Sequence, residues 1–565
     1  MEDLNKLNEI LEISKSEKKI ILNNLLSYSS NNIINNVDIS QNVYVDTQID
    51  KWIETLPILE GGKILINNII HNPINNKKIL EDRQKSYIQD DTICSDLNIL
   101  KEYENDILWT FVLNDELNED YSINLLYFSN FIIRKINTIE PILDLYHIYK
   151  IYLIPLLTLI YPISIIFGPL YYINKYFKMN MSIKDYIKIL YSFLNIYLKK
   201  TGNFKVDIFK IVTVIVYIFL YLYGTYQSLE LSYIAYKTKE KLQKKMEGLV
   251  IFINESIKII NKIELNIIKP YLDINTINEY DQIRLTTSMT DIYNLWKNNN
   301  IKEKIKALLK IIYTIDVINS ISRLKDSSNW CNPLYTNNIT KMWNMKNPIL
   351  NNNQIGNPID LSKNIIITGP NAAGKTTYVK SILSNIILAH TIGITNCLKS
   401  EIIIYDTINS FMRITDILGE KSYFEVETEY CSLMVNKAIQ LANKNKKGLF
   451  LMDEPMHSTP PTEGMATAYA VSEFIGKLSG INLIITTHFH KLIILENNYP
   501  NNFINLSVEA IKNCDGTFHF PYKIIRGSSK QCIALELLDK QKFPSNVINS
   551  AIEMKNKICS EIYSK

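Results

Sequence analysis

Hydrophobic positions divide the chain into a helical region and a later region of short buried strands. In residues 45–145 and 231–330, leucine and isoleucine recur at spacings of three and four between charged residues, which predicts amphipathic helices. Further on, short β-branched runs such as Asn364–Thr368 and Ile481–Thr487 predict strands buried in a parallel sheet. Between the two patterns, Ser327–Asn353 contains two prolines and an asparagine run, which predicts an irregular connection at a domain boundary.

Two apolar segments interrupt the helical region. Ile151–Ile173 carries no charged residue over 23 positions, and Ile211–Leu229 carries none over 19. About 20 residues of helix cross the hydrocarbon of a bilayer, and the tyrosines near the ends of both segments are typical of a membrane interface. Pro155, Pro162 and Pro169 predict a kink in the first helix. Two interpretations stay open: a hairpin inserted in a membrane, or a buried helical hairpin of a soluble protein.

The residues between these apolar segments are rich in lysine. Residues 181–200 have the pattern of a basic amphipathic helix, which is suited to lie on a membrane surface. Lysine-rich loops prefer the cytoplasmic side of a membrane, but the flanks beyond both apolar segments are basic as well. The charge distribution therefore does not predict which end of the hairpin would face the cytoplasm.

The amino-acid composition says more about the cellular compartment of the protein than about its function. The 565 residues include 61 Lys and Arg against 57 Asp and Glu, a net charge of +4, so a nucleic-acid surface would have to be a local basic patch. Seven scattered cysteines without a C-x-x-C pair argue against a zinc site or disulfide framework and predict a reducing, intracellular compartment. Met1–Lys19 carries charged residues throughout, which predicts no signal peptide.

The clearest chemical motif follows the first predicted strand of the sheet. Gly369–Thr376 fits G-x-x-x-x-G-K-[ST] and lies between the strand ending at Thr368 and a predicted helix, Tyr378–Leu388. This is the arrangement of a P-loop, in which backbone N–H groups wrap a phosphate, Lys375 reaches the outer phosphates of ATP and the Thr376 hydroxyl holds Mg²⁺. The predicted ATP-binding residues of this loop are Gly369, Pro370, Asn371, Ala372, Ala373, Gly374, Lys375, Thr376 and Thr377.

Two more strands end in residues suited to ATP hydrolysis. The apolar run Leu449–Glu454 ends in two carboxylates, of which Asp453 is predicted to hold Mg²⁺ and Glu454 to orient and deprotonate the attacking water. Ile481–Thr487 leads to His488, at the edge of the sheet where ligands bind in α/β proteins. The predicted catalytic residues of this ATPase are Lys375, Glu454 and His488.

A polar segment, Gly419–Glu427, heads a further predicted helix that ends near Asn443. The hydroxyl of Ser422 and the N–H groups at the start of that helix are suited to bind phosphate, including one held by another subunit. The alternative is that Ser422 is a plain helix N-cap. The residues alone leave both interpretations open.

Together these motifs resemble the MutS family of DNA mismatch-repair ATPases, most densely over residues 345–555. Ile367–Tyr378 is similar to the family's phosphate loop, Ser422–Glu427 to its STF-x-VE segment, Leu451–Glu454 to its LMDE motif and Thr486–His488 to its ATH motif. The resemblance implies a dimer in which Ser422 reaches the neighbouring subunit's nucleotide. It also implies that the stretch ahead of the P-loop packs on the adenine, through Ile355, and that Arg526–Leu537 belongs to a C-terminal helix-turn-helix that locks the dimer. Asp82–Gln84 is similar to the arginine–glutamine turn that opens the family's helical core.

The chain departs from the family pattern in four features. Pro455–Pro461 stands where the family has a glycine-rich run, and the glycine of the helix-turn-helix is replaced near Ile533. The chain has no room for the family's mismatch-reading and connector domains. The apolar hairpin occupies the place of the family's DNA clamp.

The predicted fold class is α plus α/β: a mostly helical N-terminal core with an apolar helical hairpin, an ABC-class P-loop ATPase domain with a mixed or parallel sheet, and a C-terminal helix-turn-helix. The predicted segments are a polar N-terminal segment (1–44), an outgoing helical core (45–145), the apolar hairpin with its basic loop (146–230), a returning core (231–330), the ATPase domain (331–525) and the dimerisation region (526–565).

These features support a MutS-like ATPase, a homodimer or heterodimer that requires ATP and Mg²⁺ and acts in mismatch repair or related DNA binding. The alternative is a membrane-associated, MutS-derived ATPase without mismatch recognition, anchored through 151–173 and 211–229. A transporter-type nucleotide-binding protein is set aside, since no LSGGQ-like signature precedes the Asp-Glu strand.

Overall fold

The computed structural model describes residues 12–26, 36–88, 90–112, 121–130, 132–200, 203–272, 274–280, 283–350, 354–370, 373–412, 423–457, 460–513, 518–529, 531 and 543–563. Its helices and strands up to residue 325 are, in chain order, α1 (Lys15–Leu26), β1 (Asp38–Ile39), α2 (Gln41–Thr47), α3 (Ile49–Ile53), α4 (Glu60–Ile70), α5 (Lys77–Lys85), α6 (Thr92–Val112), α7 (Tyr121–Asn124), α8 (Glu140–Ile148), α9 (Ile154–Tyr176), α10 (Ile183–Leu198), α11 (Phe204–Lys262), α12 (Ile274–Glu279), α13 (Met289–Lys297) and α14 (Asn299–Lys325). Those that follow are β2 (Leu334–Thr336), β3 (Lys341–Met345), β4 (Asn357–Asp360), β5 (Asn364–Thr368), α15 (Lys375–Thr391), β6 (Lys399–Ile403), β7 (Thr407–Phe411), α16 (Tyr423–Asn443), β8 (Gly448–Asp453), α17 (Pro461–Gly476), β9 (Ile481–Thr486), α18 (Ile494–Asn498), β10 (Phe503–Val508), β11 (Ile511–Lys512), β12 (Phe518–His519), β13 (Ile524–Arg526) and α19 (Ser545–Tyr563).

The chain forms two compact units. The helical unit comprises Met1–Leu25, Ile99–Ile259 and Asn275–Leu309, and the sheet unit comprises Leu26–Asn98, Ile260–Ile274 and Lys310–Lys565. A mostly helical region therefore precedes a mixed, largely parallel sheet flanked by helices, which confirms that part of the predicted fold class. The division into six segments stays a prediction.

The helical unit is built around α11, whose 59 residues give a helix about 90 Å long at 1.5 Å per residue. Its C-terminal half packs closely on α6, because a Cβ added at Gly248 would lie 2.1 Å from an Asp106 carboxylate oxygen. The same carboxylate accepts a hydrogen bond of 2.7 Å from Lys245, one turn earlier on α11. A small residue and an ion pair thus fix the contact between these two helices.

The predicted hairpin is present as a pair of adjacent helices. A short π-helix, Tyr149–Leu153, leads into α9, which runs through both internal prolines without ending. The Thr158 hydroxyl lies 3.4 Å from that of Ser228 on α11, so the two helices run side by side. Glu140–Tyr176 and α11 are each long and apolar enough to cross a membrane. In the apolar 18-residue stretch of each helix, only 11% and 0% of the residues, respectively, are buried. The structure does not bury the hairpin.

The predicted basic amphipathic helix is α10, which folds back on α9. The Tyr186 hydroxyl donates a 2.7 Å hydrogen bond to the Ile166 carbonyl, and its ring packs against Phe167. The opposite side of α10 is exposed, including most of its large apolar side chains.

The main sheet of the sheet unit has the order β1-β7-β8-β9-β5-β10-β13, with every neighbouring pair parallel except β10 and β13. All residues of β5 and β8 are buried, as their continuous apolar runs predict. Helices α16 and α17 cover one face over a core that includes Phe450, Met434 and Ile475. The parallel pairing brings the carboxyl ends of β5, β8 and β9 to one edge.

A smaller four-stranded sheet, β2-β6-β3-β4, accompanies the main one. Two of its strands lie within Ser327–Asn353, so the prediction that this stretch is irregular is wrong. The prolines there lie outside the strands, and the β-branched and aromatic residues between them pair with β6 and β4.

Leu26–Asn98, although early in the chain, belongs to the sheet unit. β1 pairs in parallel with β7 and forms the edge of the main sheet. α2, α4 and α5 then contact α15, the helix that follows the P-loop. This is why α15 is buried on nearly every side from Tyr378 to Thr391.

The predicted helix-turn-helix lies mostly outside the described residues, which omit 532–542. Its first residue, Arg526, ends strand β13, and helix α19 follows from Ser545. The helix-turn-helix stays a prediction.

Candidate functional site

The loop after β5 has the backbone that its glycines predict. Gly369 has a φ of +148°, and a Cβ there would lie 2.4 Å from the Val508 carbonyl oxygen. Gly374 has a φ of +95° and precedes the first residue of α15. Both positions need glycine, the first because of the close approach of β10 and the second because of its left-handed backbone. The start of α15 therefore points its free N–H groups into the loop.

Lys375 is held under this loop. Its side chain is 4% exposed, and Nζ donates a 2.8 Å hydrogen bond to the Gly369 carbonyl. The same Nζ lies 3.2 Å from His488 Nε2 and 3.8 Å from Glu454 Oε1. The ammonium group of the P-loop thus meets the ends of both β8 and β9.

Thr376 and Asp453 lie together beside the loop. The Thr376 hydroxyl donates to Asp453 Oδ2 at 3.0 Å, and Thr486 donates to the other oxygen of the same carboxylate. A hydroxyl and a carboxylate are the oxygen ligands that Mg²⁺ prefers, and magnesium usually keeps several waters besides one or two protein ligands. The residues present therefore fit a magnesium ion, with Thr376 and Asp453 as the ligands.

Glu454 occupies an unusual backbone position directly after β8. Its φ is +54°, and its N–H donates to the Thr486 carbonyl at 3.0 Å, which continues the β8–β9 pairing for one more residue. Its Oε1 lies 2.6 Å from His488 Nε2. A non-glycine residue in this conformation is strained, and such strain persists where surrounding contacts hold it. Here it places the carboxylate against the P-loop lysine.

These groups share one open cavity of about 670 Å³. It is lined by Asp46, Pro370, Gly374, Lys375, Thr376, Thr377, Lys380, Met412, Asp453, Glu454 and Tyr522. Its volume lies within the range of small-molecule sites. Lysine ammonium groups and an α-helix N-terminus face carboxylates across it, the charge pattern suited to a phosphate chain with a divalent cation.

The remaining predicted site residues divide into three groups. Ala373 is buried within the loop, and its N–H lies 3.4 Å from the Pro370 carbonyl oxygen. Ile355 is 50% exposed and is not among the cavity-lining residues described here, so its adenine contact stays a prediction. Asn371, Ala372 and Ser422 lie outside the described residues.

The altered loop after Glu454 is tied to α16. Met456 has a φ of +62°, and its sulfur is 4.0 Å from Cys431 Sγ. The His457 N–H donates to Glu427 Oε1 at 3.3 Å, and Glu427 is buried. The loop that replaces the family's glycine-rich run is therefore fixed to the helix headed by the Ser422 segment.

Four cavity-lining residues were not predicted from the sequence: Asp46, Lys380, Met412 and Tyr522. Asp46 comes from α2, and Tyr522 comes from the connection before β13, where its ring would touch a Cβ added at Gly374. Burial raises the pKa of Asp46; the hydrogen bond from Ser410 and the positive charge of Lys380 lower it, and the negative charge of Asp453 raises it further. No local motif marks Asp46 or Tyr522, because each reaches the cavity through long-range packing.

The charged turn Asp82–Gln84 is not an ordinary solvated surface. Arg83 is 1% exposed, lies over the Tyr271 ring and donates to the carbonyl of Thr391 at the C-terminal end of α15. Gln84 donates to the Pro333 carbonyl at 2.7 Å. A cation at the carbonyl end of a helix is electrostatically favourable, so this turn anchors the far end of the P-loop helix.

Comparison with known proteins gives the same family as the motifs. Residues 365–559 match MutS domain V, an ABC-type ATPase domain. The DNA mismatch repair protein MutS of Leuconostoc citreum is 28% identical over 260 residues, which cover 44% of this chain and 29% of that protein. MutS of Staphylococcus haemolyticus is 28% identical over 261 residues, covering 44% and 28%, and the DNA mismatch repair protein MSH3 of Debaryomyces hansenii is 28% identical over 290 residues, covering 48% and 28%. The match thus spans less than a third of the length of these relatives.

Proposed function

The chain is a divergent member of the MutS family, and from this premise we propose that it is a Mg²⁺-dependent ATPase that works as a dimer on DNA. The observation that carries the ATPase proposal is the meeting of three strand ends at one edge of the sheet, where the P-loop and both carboxylates line one cavity. The P-loop after β5, the two carboxylates after β8 and the histidine after β9 lie within hydrogen-bonding or ion-pairing distance of one another. Phosphoryl transfer depends on such positioning and on electrostatic stabilisation.

Each residue has a distinct task in this proposal. The N–H groups of the P-loop and the Lys375 ammonium group bind the β- and γ-phosphates. Thr376 and Asp453 hold Mg²⁺, which when bound neutralises charge on the phosphate oxygens. Glu454 accepts a proton from the attacking water, and His488 keeps its carboxylate turned toward the cavity. The Tyr522 ring forms an apolar wall beside Gly374 that suits a nucleobase or ribose.

Nucleotide binding by wild-type protein and by Lys375→Ala tests the first half of the proposal. The variant is expected to lose ATP binding, because Nζ is the P-loop cation that meets the phosphates. Lys363→Ala is the matched control, since that lysine precedes β5 and donates to the Pro500 carbonyl outside the cavity. Equal binding by Lys375→Ala and Lys363→Ala would contradict the assignment of the cavity.

The DNA half of the proposal rests on the family and on the relatives, which are DNA mismatch repair proteins. Lysine-rich faces such as that of α11 supply cations for phosphate contacts. The test is binding to a heteroduplex and to the matching homoduplex at one stated salt concentration. A mismatch-specific protein prefers the heteroduplex, whereas a general basic surface binds both alike and loses affinity steeply with salt.

A second candidate function is ATP-driven work at a membrane. It is favoured by the exposed apolar hairpin, because large apolar side chains of α9, α10 and the first half of α11 face away from the protein. Contiguous apolar surface of this size marks a membrane or protein interface. The reducing compartment expected from the cysteines is compatible with anchoring on the cytoplasmic face of a membrane.

Flotation of the full chain with phospholipid vesicles tests the membrane candidate. An inserted hairpin stays with the vesicles after a high-salt wash, whereas a basic surface helix is released because salt screens its charges. The double variant Lys184→Glu/Lys188→Glu on α10 distinguishes insertion of the hairpin from surface binding of α10. It weakens the attraction of α10 to an anionic membrane surface and leaves α9 and α11 unchanged. Release of wild-type protein by salt would contradict insertion.

A further inference from the structure

An acidic side chain from the N-terminal part of the sheet unit lies in the nucleotide cavity. Asp46, near the end of α2, lines this cavity together with the P-loop residues. The segment is fixed in place by β1, which adds to the sheet beside β7, and by the contact of α2 with α15. The position of Asp46 is therefore set by the sheet, as is that of Asp453.

The carboxylate of Asp46 is oriented by a buried hydroxyl. Ser410 on β7 is fully buried, and its Oγ donates a 2.8 Å hydrogen bond to Asp46 Oδ2. Because one oxygen accepts this bond, the other is available to the cavity. A fixed carboxylate with one occupied oxygen is a positioned acceptor.

The register of the sheet places this acceptor beside the proposed cation ligands. Ser410 pairs with Leu451 and Phe411 with Met452, so the end of β7 lies next to Asp453 at the end of β8. Neighbouring strands are about 4.8 Å apart. A carboxylate that accepts a hydrogen bond from a cation-bound water lies about 4 Å from the cation, because the metal–water distance of about 2.1 Å and the hydrogen bond of about 2.8 Å meet at an angle at the water oxygen. Asp46, Thr376 and Asp453 line the same cavity, an arrangement that suits contact between Asp46 and the cation through one water.

We propose that Asp46 is a third carboxylate of the nucleotide site, which accepts a hydrogen bond from a water of the divalent cation held by Thr376 and Asp453. The proposal rests on the proposed ATPase function. Asp46 is a positioning residue: it acts on the cation through water and does not touch the phosphates.

The competing explanation is that Asp46 serves only to balance Lys380. That lysine lies one helical turn after Thr376 and lines the same cavity. In that case Asp46 would stabilise the fold or the phosphate site whether or not a divalent cation is present. The two explanations therefore differ in their dependence on Mg²⁺.

The test compares ATP affinity with Mg²⁺ and with EDTA, by titration calorimetry or a fluorescent ATP analogue. Asp46→Asn keeps the size of the side chain and an oxygen for Ser410, so the fold is retained. We expect the ATP affinity of this variant in EDTA to match that of wild type. Mg²⁺ increases the ATP affinity, and the Mg²⁺ midpoint is the concentration that gives half of this increase. In Asp46→Asn the Mg²⁺ midpoint is expected to rise about 10- to 100-fold, as for other residues that hydrogen-bond to metal-bound groups. Ser410→Ala, which only frees the Asp46 carboxylate, is expected to shift the same midpoint in the same direction by less.

Asp38→Asn is the matched control, since Asp38 lies on the same segment and pairs with Lys437 outside the cavity. An unchanged Mg²⁺ midpoint in both Asp46→Asn and Ser410→Ala would overturn the proposal. An equal change of ATP affinity with Mg²⁺ and with EDTA, in either direction, would overturn it in favour of the Lys380 explanation. If the proposed ATPase function itself is wrong, the result is distinguishable, because wild-type protein will then bind ATP neither with Mg²⁺ nor with EDTA.

Discussion

His488 Nε2 lies 2.6 Å from Glu454 Oε1, at the point where the parallel strands β8 and β9 end. The Lys375 ammonium group is within 3.8 Å of the same carboxylate oxygen. The three predicted catalytic residues thus form one connected cluster. In this cluster the two nitrogen-bearing side chains hold the Glu454 carboxylate at the cavity wall.

Glu454→Gln is expected to separate ATP binding from hydrolysis. The amide keeps the size of the side chain and a hydrogen-bonding oxygen, but it does not accept a proton from water at neutral pH. Loss of a general base typically costs 10²- to 10⁴-fold, so single-turnover hydrolysis should slow by at least about 100-fold while ATP stays bound. Glu463→Gln, an exposed acid at the start of α17, is the control. Hydrolysis at the wild-type rate in Glu454→Gln would show that another group is the base.

The cluster was predictable because its members sit in short motifs whose context is local. A buried strand followed by Gly369–Thr376 places a lysine at a helix start, and a strand followed by Asp453 and Glu454 places acids at the same edge. Parallel pairing of β5, β8 and β9 then brings the ends of these strands together. The helix limits were less accurate, since α15 begins three residues before its predicted start and ends three after its predicted end.

Features that depend on distant contacts were not predictable in this way. Asp46 lies at the start of the predicted outgoing helical core, outside every motif, and it reaches the cavity because β1 joins the edge of the main sheet. Arg83 lies in a turn that has the composition of a solvated surface, yet α15 and Tyr271 bury it. Periodicity describes which face of an element is apolar, and it does not name the element that covers that face.

Gly369→Ala is expected to destabilise the sheet unit. The new Cβ would lie 2.4 Å from the backbone carbonyl of Val508, so β10 or the P-loop must shift. Strained backbone and overlap of this kind cost about 2 kcal/mol or more in free energy of unfolding. Gly527→Ala is a matched control, because Gly527 also has a positive φ, +107°, but no atom of the described residues lies within 4 Å of its added Cβ. Chemical denaturation of both variants checks the difference, and equal losses would mean that the contact with Val508 is relieved without cost.

Arg83→Met is expected to loosen the C-terminal end of α15. The change keeps much of the apolar stem but leaves the Thr391 and Pro270 carbonyls without this donor. An unsatisfied buried carbonyl costs about 1–3 kcal/mol, so the loss at Thr391, with a smaller loss at the partly buried Pro270 carbonyl, should lower the free energy of unfolding by about 2–4 kcal/mol. Lys85→Met, two residues later, removes an exposed lysine that pairs with Asp82 and is expected to change stability little. Similar denaturation midpoints for the two variants would contradict a structural role for Arg83.

His390 is expected to make the sheet unit sensitive to acid. The ring is completely buried, its Nε2 accepts the Tyr405 N–H, and burial lowers its pKa from 6.5 to about 4. Between these pH values the unfolded chain binds a proton on this ring that the folded chain does not. The free energy of unfolding therefore falls as the pH drops from 6.5 to 4, by on the order of 3 kcal/mol.

His390→Gln removes the titrating ring and should flatten this part of the stability curve. His519→Gln, the same change at an exposed histidine, serves as the control. The measurement is the denaturation midpoint of each protein between pH 4 and pH 7. Parallel curves for wild type and His390→Gln would show that other groups govern the acid sensitivity.

Mixing two inactive variants tests whether the ATP site is shared between subunits. In a Ser422→Ala subunit the P-loop is intact, and in a Lys375→Ala subunit Ser422 is intact, so a mixed dimer contains one complete site if Ser422 acts across the interface. Random pairing makes about half of the dimers mixed, each with one of two sites working, so ATPase activity should recover to about a quarter of the wild-type value. If Ser422 is a plain N-cap within its own subunit, neither mixed site is complete and the mixture stays inactive. If Ser422 is dispensable, Ser422→Ala alone is already active. Steady-state hydrolysis of each variant and of the equimolar mixture therefore distinguishes a composite dimer site from two independent ones.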